Sequence, residues 1–223
     1  MVSAKTIFWE VDVQADFMLP GGSLYIPGAE KIMANINLLV DAARQSRVFL
    51  ISSADAHNPN DPELSDWPPH CLKGTAGADL MPEACASPRL VIPNQKGFTL
   101  PEDLGAFRQV TLEKNSLDVF DNPNTDTLLA RLNPAASSAF ESRLQFVVFG
   151  VATEYCVRPT ANGLLRRGYL VSVVTDAIRA IDQEKAQQTL ETLHSLGVRL
   201  ITTSEALTLV GGRLSVFRAS SLG

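Results

Sequence analysis

Apolar residues gather into short runs at residues 7–13, 48–53, 109–112, 145–150, 170–176 and 198–202, each rich in β-branched or other apolar side chains. Runs of this length, bounded by turn-forming residues, predict buried strands. Between several of them the period changes to that of a helix. Ile32, Ile36, Leu39 and Ala43 share one face, with Glu30, Lys31, Asp41 and Arg44 away from it. Similar stripes follow at Leu128, Leu129 and Leu132, at Val157, Ala161, Leu164 and Leu165, and at Ala186, Leu190 and Leu193. Gly168 and Gly197 each close a stripe ahead of a strand, where a left-handed residue ends a helix.

Strands alternating with helices predict an α/β fold of three layers, α/β/α, around a six-stranded and mostly parallel sheet with right-handed crossovers. Ligands of such sheets sit beyond the carboxyl ends of the strands. Residues 1–223 read as one domain. Residues 54–108 break the rhythm and hold eight of the 13 prolines, so this irregular stretch is expected to carry function. The tail, residues 211–223, offers one short alternating run at 214–217 and suggests no role.

Composition narrows the partners. At 45% hydrophobic and 19% charged, the chain is that of a globular protein. Its net charge of −5 arises without any basic run, which argues against nucleic acid and anionic membrane and favours a small molecule. A homo-oligomer is compatible with this. Neither a signal peptide nor a membrane span is expected. Cys71, Cys85 and Cys156 form no CxxC pair, and free thiols in a reducing cytoplasm are the simplest reading.

Three strand ends carry chemistry. The first run leads into Asp12, Gln14, Asp16 and Phe17; a lone aspartate there also serves as a turn cap. The third run is followed by Lys114, which alone would be a solvated lysine. The fourth ends at Gly150, and Cys156 follows where a helical stripe begins. A helix N-terminus favours a thiolate and lowers the thiol below its free value of about 8.5, although a buried structural cysteine fits the same position. Only three histidines are present. His57 and His70 lie in the irregular stretch near Asp55, and His194 reads as a helix-face residue, so no imidazole is placed as the base for Cys156.

The chain resembles the isochorismatase-like cysteine hydrolases, and within them the nicotinamidases, from about residue 7 to 207. The carriers are the segments 12–17 (DVQADF), 21–24 (GGSL), 55–57 (DAH), 67–71 (WPPHC), Lys114 and 150–157 (GVATEYCV), in that order. The resemblance implies a Rossmann-type strand order and a triad of Asp12, Lys114 and Cys156. It further implies a cis peptide bond between Val151 and Ala152, with the N–H groups of Ala152 and Cys156 forming an oxyanion hole. Asp55, His57 and His70 resemble the nicotinamidase metal site, with Glu63 as a fourth candidate. One divalent ion per chain is implied, zinc first and iron or manganese next. Phe17 and Trp67 would sandwich a flat ring, Leu24 would line the pocket, and Tyr155 is a further candidate.

The implied reaction is hydrolysis of nicotinamide, or a close pyridine or pyrazine carboxamide, through a thioester on Cys156. Other readings keep the scaffold: a different small amide, a carbamoyl or ureido compound, isochorismate, a metal-hydroxide hydrolase with a structural Cys156, or a binding protein without turnover. Two departures bear on substrate choice. Ala54 and Ala56 flank Asp55, which is expected to widen the wall near the metal, and residues 115–120 lack a glycine- and aromatic-rich run.

Overall fold

All the strands of the sheet run parallel. The computed structural model describes residues 5–133 and 144–211, so the run at 214–217 lies outside the described residues. The strands are β1 (Lys5–Val11), β2 (Phe49–Asp55), β3 (Arg89–Ile92), β4 (Gln109–Lys114), β5 (Leu144–Val151), β6 (Leu170–Arg179) and β7 (Arg199–Ile201). Their order across the sheet is β3-β4-β2-β1-β5-β6-β7.

The six expected strands take the doubly wound order third, second, first, fourth, fifth, sixth. The sheet has a seventh strand, β3, paired outside β4 at the edge. β3 is four residues long between Pro88 and Pro93, too short to show a period. From β1 the chain steps to β2, then to the edge at β3 and back inside it at β4, and from β5 it steps through β6 to β7 at the other edge. The crevice at this reversal lies between the carboxyl ends of β1 and β5, where doubly wound sheets bind ligands.

Two apolar cores flank the sheet. One packs α2 (Met33–Arg44) and α6 (Thr203–Val210) through residues such as Ile36, Leu39, Ala206 and Val210. The other packs α3 (Thr125–Leu132), α4 (Arg158–Arg166) and α5 (Gln183–Ser195) through Leu128, Ala161, Leu164 and Leu193. A short α1 (Ala15–Met18) follows β1. All eight residues of β5 are buried, as expected for a strand covered on both faces.

Gly150, at φ 117°, lets β5 close on β1: a Cβ there would collide with the Val11 carbonyl oxygen. The crevice is therefore narrow at its floor. β1 ends earlier than its apolar run because Asp12 turns to φ 51°. That turn delivers the Asp12 carboxylate into the crevice.

Candidate active site

Four neighbouring strand ends converge on one buried cluster. Lys114, fully buried at the end of β4, sets its ammonium 2.9 Å from Asp12 Oδ2 and 3.5 Å from Cys156 Sγ. The same ammonium contacts Asp55 Oδ1. Ser53 donates to the other Asp12 oxygen at 2.7 Å, which fixes the carboxylate. Gln14 holds Asp55 from behind: its amide nitrogen donates to the Asp55 carbonyl at 2.7 Å, and its amide oxygen accepts from the Asp55 N–H at 2.7 Å.

Cys156 lies inside a π-helical turn, Thr153–Val157, and the α-helix begins only at Arg158. Burial opposes the thiolate that a helix N-terminus would favour. Burial pushes the Cys156 thiol well up, and the Asp12 and Asp55 charges add to that push against Lys114. Burial likewise raises the Asp12 carboxyl despite Lys114, while Lys114 is held charged by Asp12 and Asp55 against its burial. Thiol and carboxyl are thus both shifted toward their protonated forms. The Val151–Ala152 peptide bond, immediately before the turn that carries Cys156, is cis.

Asp55, His57, Glu63 and His70 meet on the other side of Lys114, their ligand atoms all within 4.8 Å of one another. Both ring nitrogens of His57 are buried without a hydrogen-bond partner, and burial of such groups is costly unless something coordinates them. His70 Nδ1 sits 2.8 Å from the Pro68 carbonyl, which places the proton on Nδ1 and leaves Nε2 a lone pair facing the cluster. Burial would raise the Asp55 carboxyl, but Lys114 and the two histidines hold it well below the usual carboxylate range. Burial and the Asp55 charge raise Glu63. The donor set of two imidazoles and two carboxylates fits one divalent cation.

Above Cys156 lies a largely apolar cavity lined by Phe17, Leu24, Trp67, Tyr155, Val151 and Ala152, with Ile26, Leu117 and Ile181 completing the walls. Asp55, Glu63 and His70 border it as well, so the cluster opens into the cavity that holds the thiol. Trp67 and Tyr155 meet edge-to-face at 5.0 Å, and Phe17 packs on the His70 ring at 5.3 Å.

Every residue expected in the triad, oxyanion hole, ligand set or cavity wall lies in this region, whereas His194 lies elsewhere, its Nδ1 facing the Val198 carbonyl at 3.3 Å. Ala54 and Ala56 do not widen the cavity. They line a separate cavity of about 260 Å³ with Lys73, Arg89 and Glu113. Asp61, 3.6 Å from His57 Nδ1, and the wall residues Leu117 and Ile181 were not foreseen. Only the spacing of four between His57 and Asp61 offered a signal.

Asp16 ties the loops together. Its carboxylate accepts from the Ser23 N–H at 2.9 Å and the Cys71 N–H at 2.7 Å, anchoring the loops that carry Leu24 and His70. Cys71 is fully buried and serves packing.

Comparison with known proteins agrees with this geometry. The isochorismatase domain is matched by residues 7–98 and by residues 86–205. The chain belongs to the isochorismatase family. This isochorismatase-family chain is 29% identical over 200 residues to the nicotinamidase/pyrazinamidase of Mycobacterium tuberculosis, spanning 87% of this chain and 97% of that one. The pyrazinamidase of Pyrococcus horikoshii in complex with zinc superposes with a TM-score of 0.67 at 26% identity, covering 89% of this chain and 99% of that one. PnC1 from L. infantum in complex with nicotinate gives 0.67 at 26%, covering 91% and 94%.

Proposed function

We propose that this chain hydrolyses nicotinamide, or a close pyridine or pyrazine carboxamide, to the carboxylic acid and ammonia through a thioester on Cys156. At the coarser level it is an amidohydrolase of the isochorismatase family, acting on an amide C–N bond. The observation that carries the finer reading is the common partner of acid and thiol. Lys114 Nζ lies 2.9 Å from Asp12 and 3.5 Å from Cys156, and Cys156 borders a cavity walled by Phe17 and Trp67.

The groups divide the work as follows. Asp12 takes the thiol proton as sulfur attacks the amide carbon, and Lys114 offsets the negative charge shared by carboxylate and sulfur. The N–H groups of Ala152 and Cys156 receive the developing oxyanion. Asp12 then passes its proton to the departing nitrogen, which leaves as ammonia. A water attacks the thioester with Asp12 again as base, releasing the acid and restoring the thiol. Phe17, Trp67, Leu24 and Tyr155 hold the flat ring by apolar and aromatic contact.

Asp55, His57, His70 and Glu63 would hold one divalent ion, zinc first. When bound, it supplies a Lewis acid beside the ring-binding cavity. The zinc complex of the P. horikoshii relative supports that choice. Three free cysteines support a reducing cytoplasm as the compartment. Isochorismate is disfavoured because, among the described residues, no arginine or lysine lines the cavity to receive its carboxylates.

Zinc-loaded protein is expected to release ammonia and nicotinate from nicotinamide, and Cys156→Ala to release none. Absence of ammonia from both nicotinamide and pyrazinamide would refute the substrate assignment.

A further inference from the structure

Glu154 stands two residues before Cys156 and is only 4% exposed. Its Oε1 accepts two backbone N–H groups, from Ile181 at 2.9 Å and Asp182 at 2.6 Å. Among the described residues it forms no ion pair with lysine, arginine or histidine, so these amides are what hold its carboxylate. They lie where β6 passes into α5, and the positive end of a 13-residue helix favours an anion there. Asp182 is itself the cap of α5, accepting from the Glu184 and Lys185 N–H groups. Ile181 is 39% exposed and its side chain lines the cavity above Cys156. Packing alone does not fix a side chain so open to solvent.

We propose that Glu154 is a positioning residue that clamps the Ile181 wall onto the turn carrying the nucleophile, and so sets how tightly the ring is bound. The proposal rests on the reading that this cavity takes a flat heteroaromatic carboxamide. Its logic is geometric. One carboxylate oxygen joins the turn carrying Cys156 to the β6–α5 junction, just past the last β5–β6 pair of Val151 with Arg179, and so holds the Ile181 backbone against that turn. Losing it frees the wall while Asp12, Lys114 and Cys156, held by their own contacts, keep their places.

The test combines a double-mutant cycle with a substrate-free measurement. In zinc-loaded protein, Glu154→Ala and Ile181→Ala are each expected to raise KM for nicotinamide about tenfold, with a smaller change in kcat. The double variant is expected to rise no further than the larger single, because both act through one wall. Glu154→Gln, which keeps an acceptor oxygen, is expected to recover most of the loss. A role confined to overall stability would not produce this split or this non-additivity.

Amide hydrogen exchange at Ile181 and Asp182 needs no substrate and separates the clamp from the substrate assignment. Glu154→Ala is expected to speed exchange at these two amides at least tenfold while Val173 in β6 stays unchanged. If wild-type protein turns over neither nicotinamide nor pyrazinamide, the substrate reading fails and exchange alone judges the clamp. KM effects that simply multiply, or unchanged exchange at Ile181 and Asp182, would overturn it. Should Glu154→Ala fail to fold, Glu154→Met, which fills the space without an acceptor, carries the same cycle with Ile181→Ala.

Discussion

Asp55 and Lys114 share a contact through one carboxylate oxygen, and that contact joins the two halves of the site. Oδ1 meets the ammonium, while Oδ2 lies 3.6 Å from His70 Nε2 and 3.9 Å from His57 Nε2. The ligand cluster and the thiol chemistry therefore share one charge. Asp55→Asn is expected to weaken zinc binding by about tenfold or more, and to lower kcat/KM by about a hundredfold even at saturating zinc. Zinc titration by competition with a chelating dye, together with ammonia release, measures both. Wild-type zinc affinity in the variant would exclude Asp55 as a ligand.

Burial raises Cys156, so alkylation by iodoacetamide is expected to be slower at pH 7 than for a free cysteine, whose pKa is about 8.5, and to climb about tenfold per pH unit. A rate flat from pH 6 to pH 9 would reveal a standing thiolate.

Asp12 must be ionised to accept that proton, and burial raises its carboxyl. The acid limb of kcat/KM is therefore expected above the ordinary aspartate value of about 3.9. Initial rates from pH 3.5 to pH 8 locate it, and a limb below that value would contradict Asp12 as base.

Glu10 is a stability cost within β1. It is fully buried, neither carboxylate oxygen has a hydrogen-bond partner, and burial raises its pKa well above 4.5. The folded state holds this proton more tightly than the unfolded chain. The favourable contribution is complete below about pH 4.5 and is lost as pH rises through the folded value. Glu10→Leu is expected to stabilise by about 1–3 kcal/mol near neutrality, with a smaller advantage at pH 4. Urea unfolding at pH 4, 6 and 8 checks both, and an advantage that shrinks as pH rises would contradict it.

Gln14 carries two short hydrogen bonds to the Asp55 backbone and a third, at 2.8 Å, to the Ala78 carbonyl. Gln14→Leu leaves buried backbone groups unpaired and is expected to cost about 2–3 kcal/mol, read by urea unfolding. A loss under 0.5 kcal/mol would mean that Asp55 is held by other means.

The doubly wound sheet was legible because its central strands are continuous apolar runs separated by helical stripes. β3 was not, since four residues between prolines carry no period. α6 escaped notice although Thr202 and Glu205 form a capping box whose spacing stands in the sequence. The residues proposed as triad and ligands came from the resemblance that motifs near the strand ends carry, and the structure brings them together. Leu117 and Ile181 were not, because a cavity wall is assembled from loops distant in sequence and leaves no pattern in any of them. The direction of the Cys156 shift was also hidden: helix position argues for a lowered thiol pKa, whereas burial, with Asp12 and Asp55 adding to it, raises the pKa.

The earlier division between strand ends and loops has a consequence for change over time. Acid, ammonium and thiol hang from neighbouring strand ends locked together at Gly150, whereas Leu24, Trp67, Leu117 and Ile181 arrive on separate connecting segments. A lineage can reshape what enters the cavity one loop at a time without disturbing the bond-breaking apparatus beneath it.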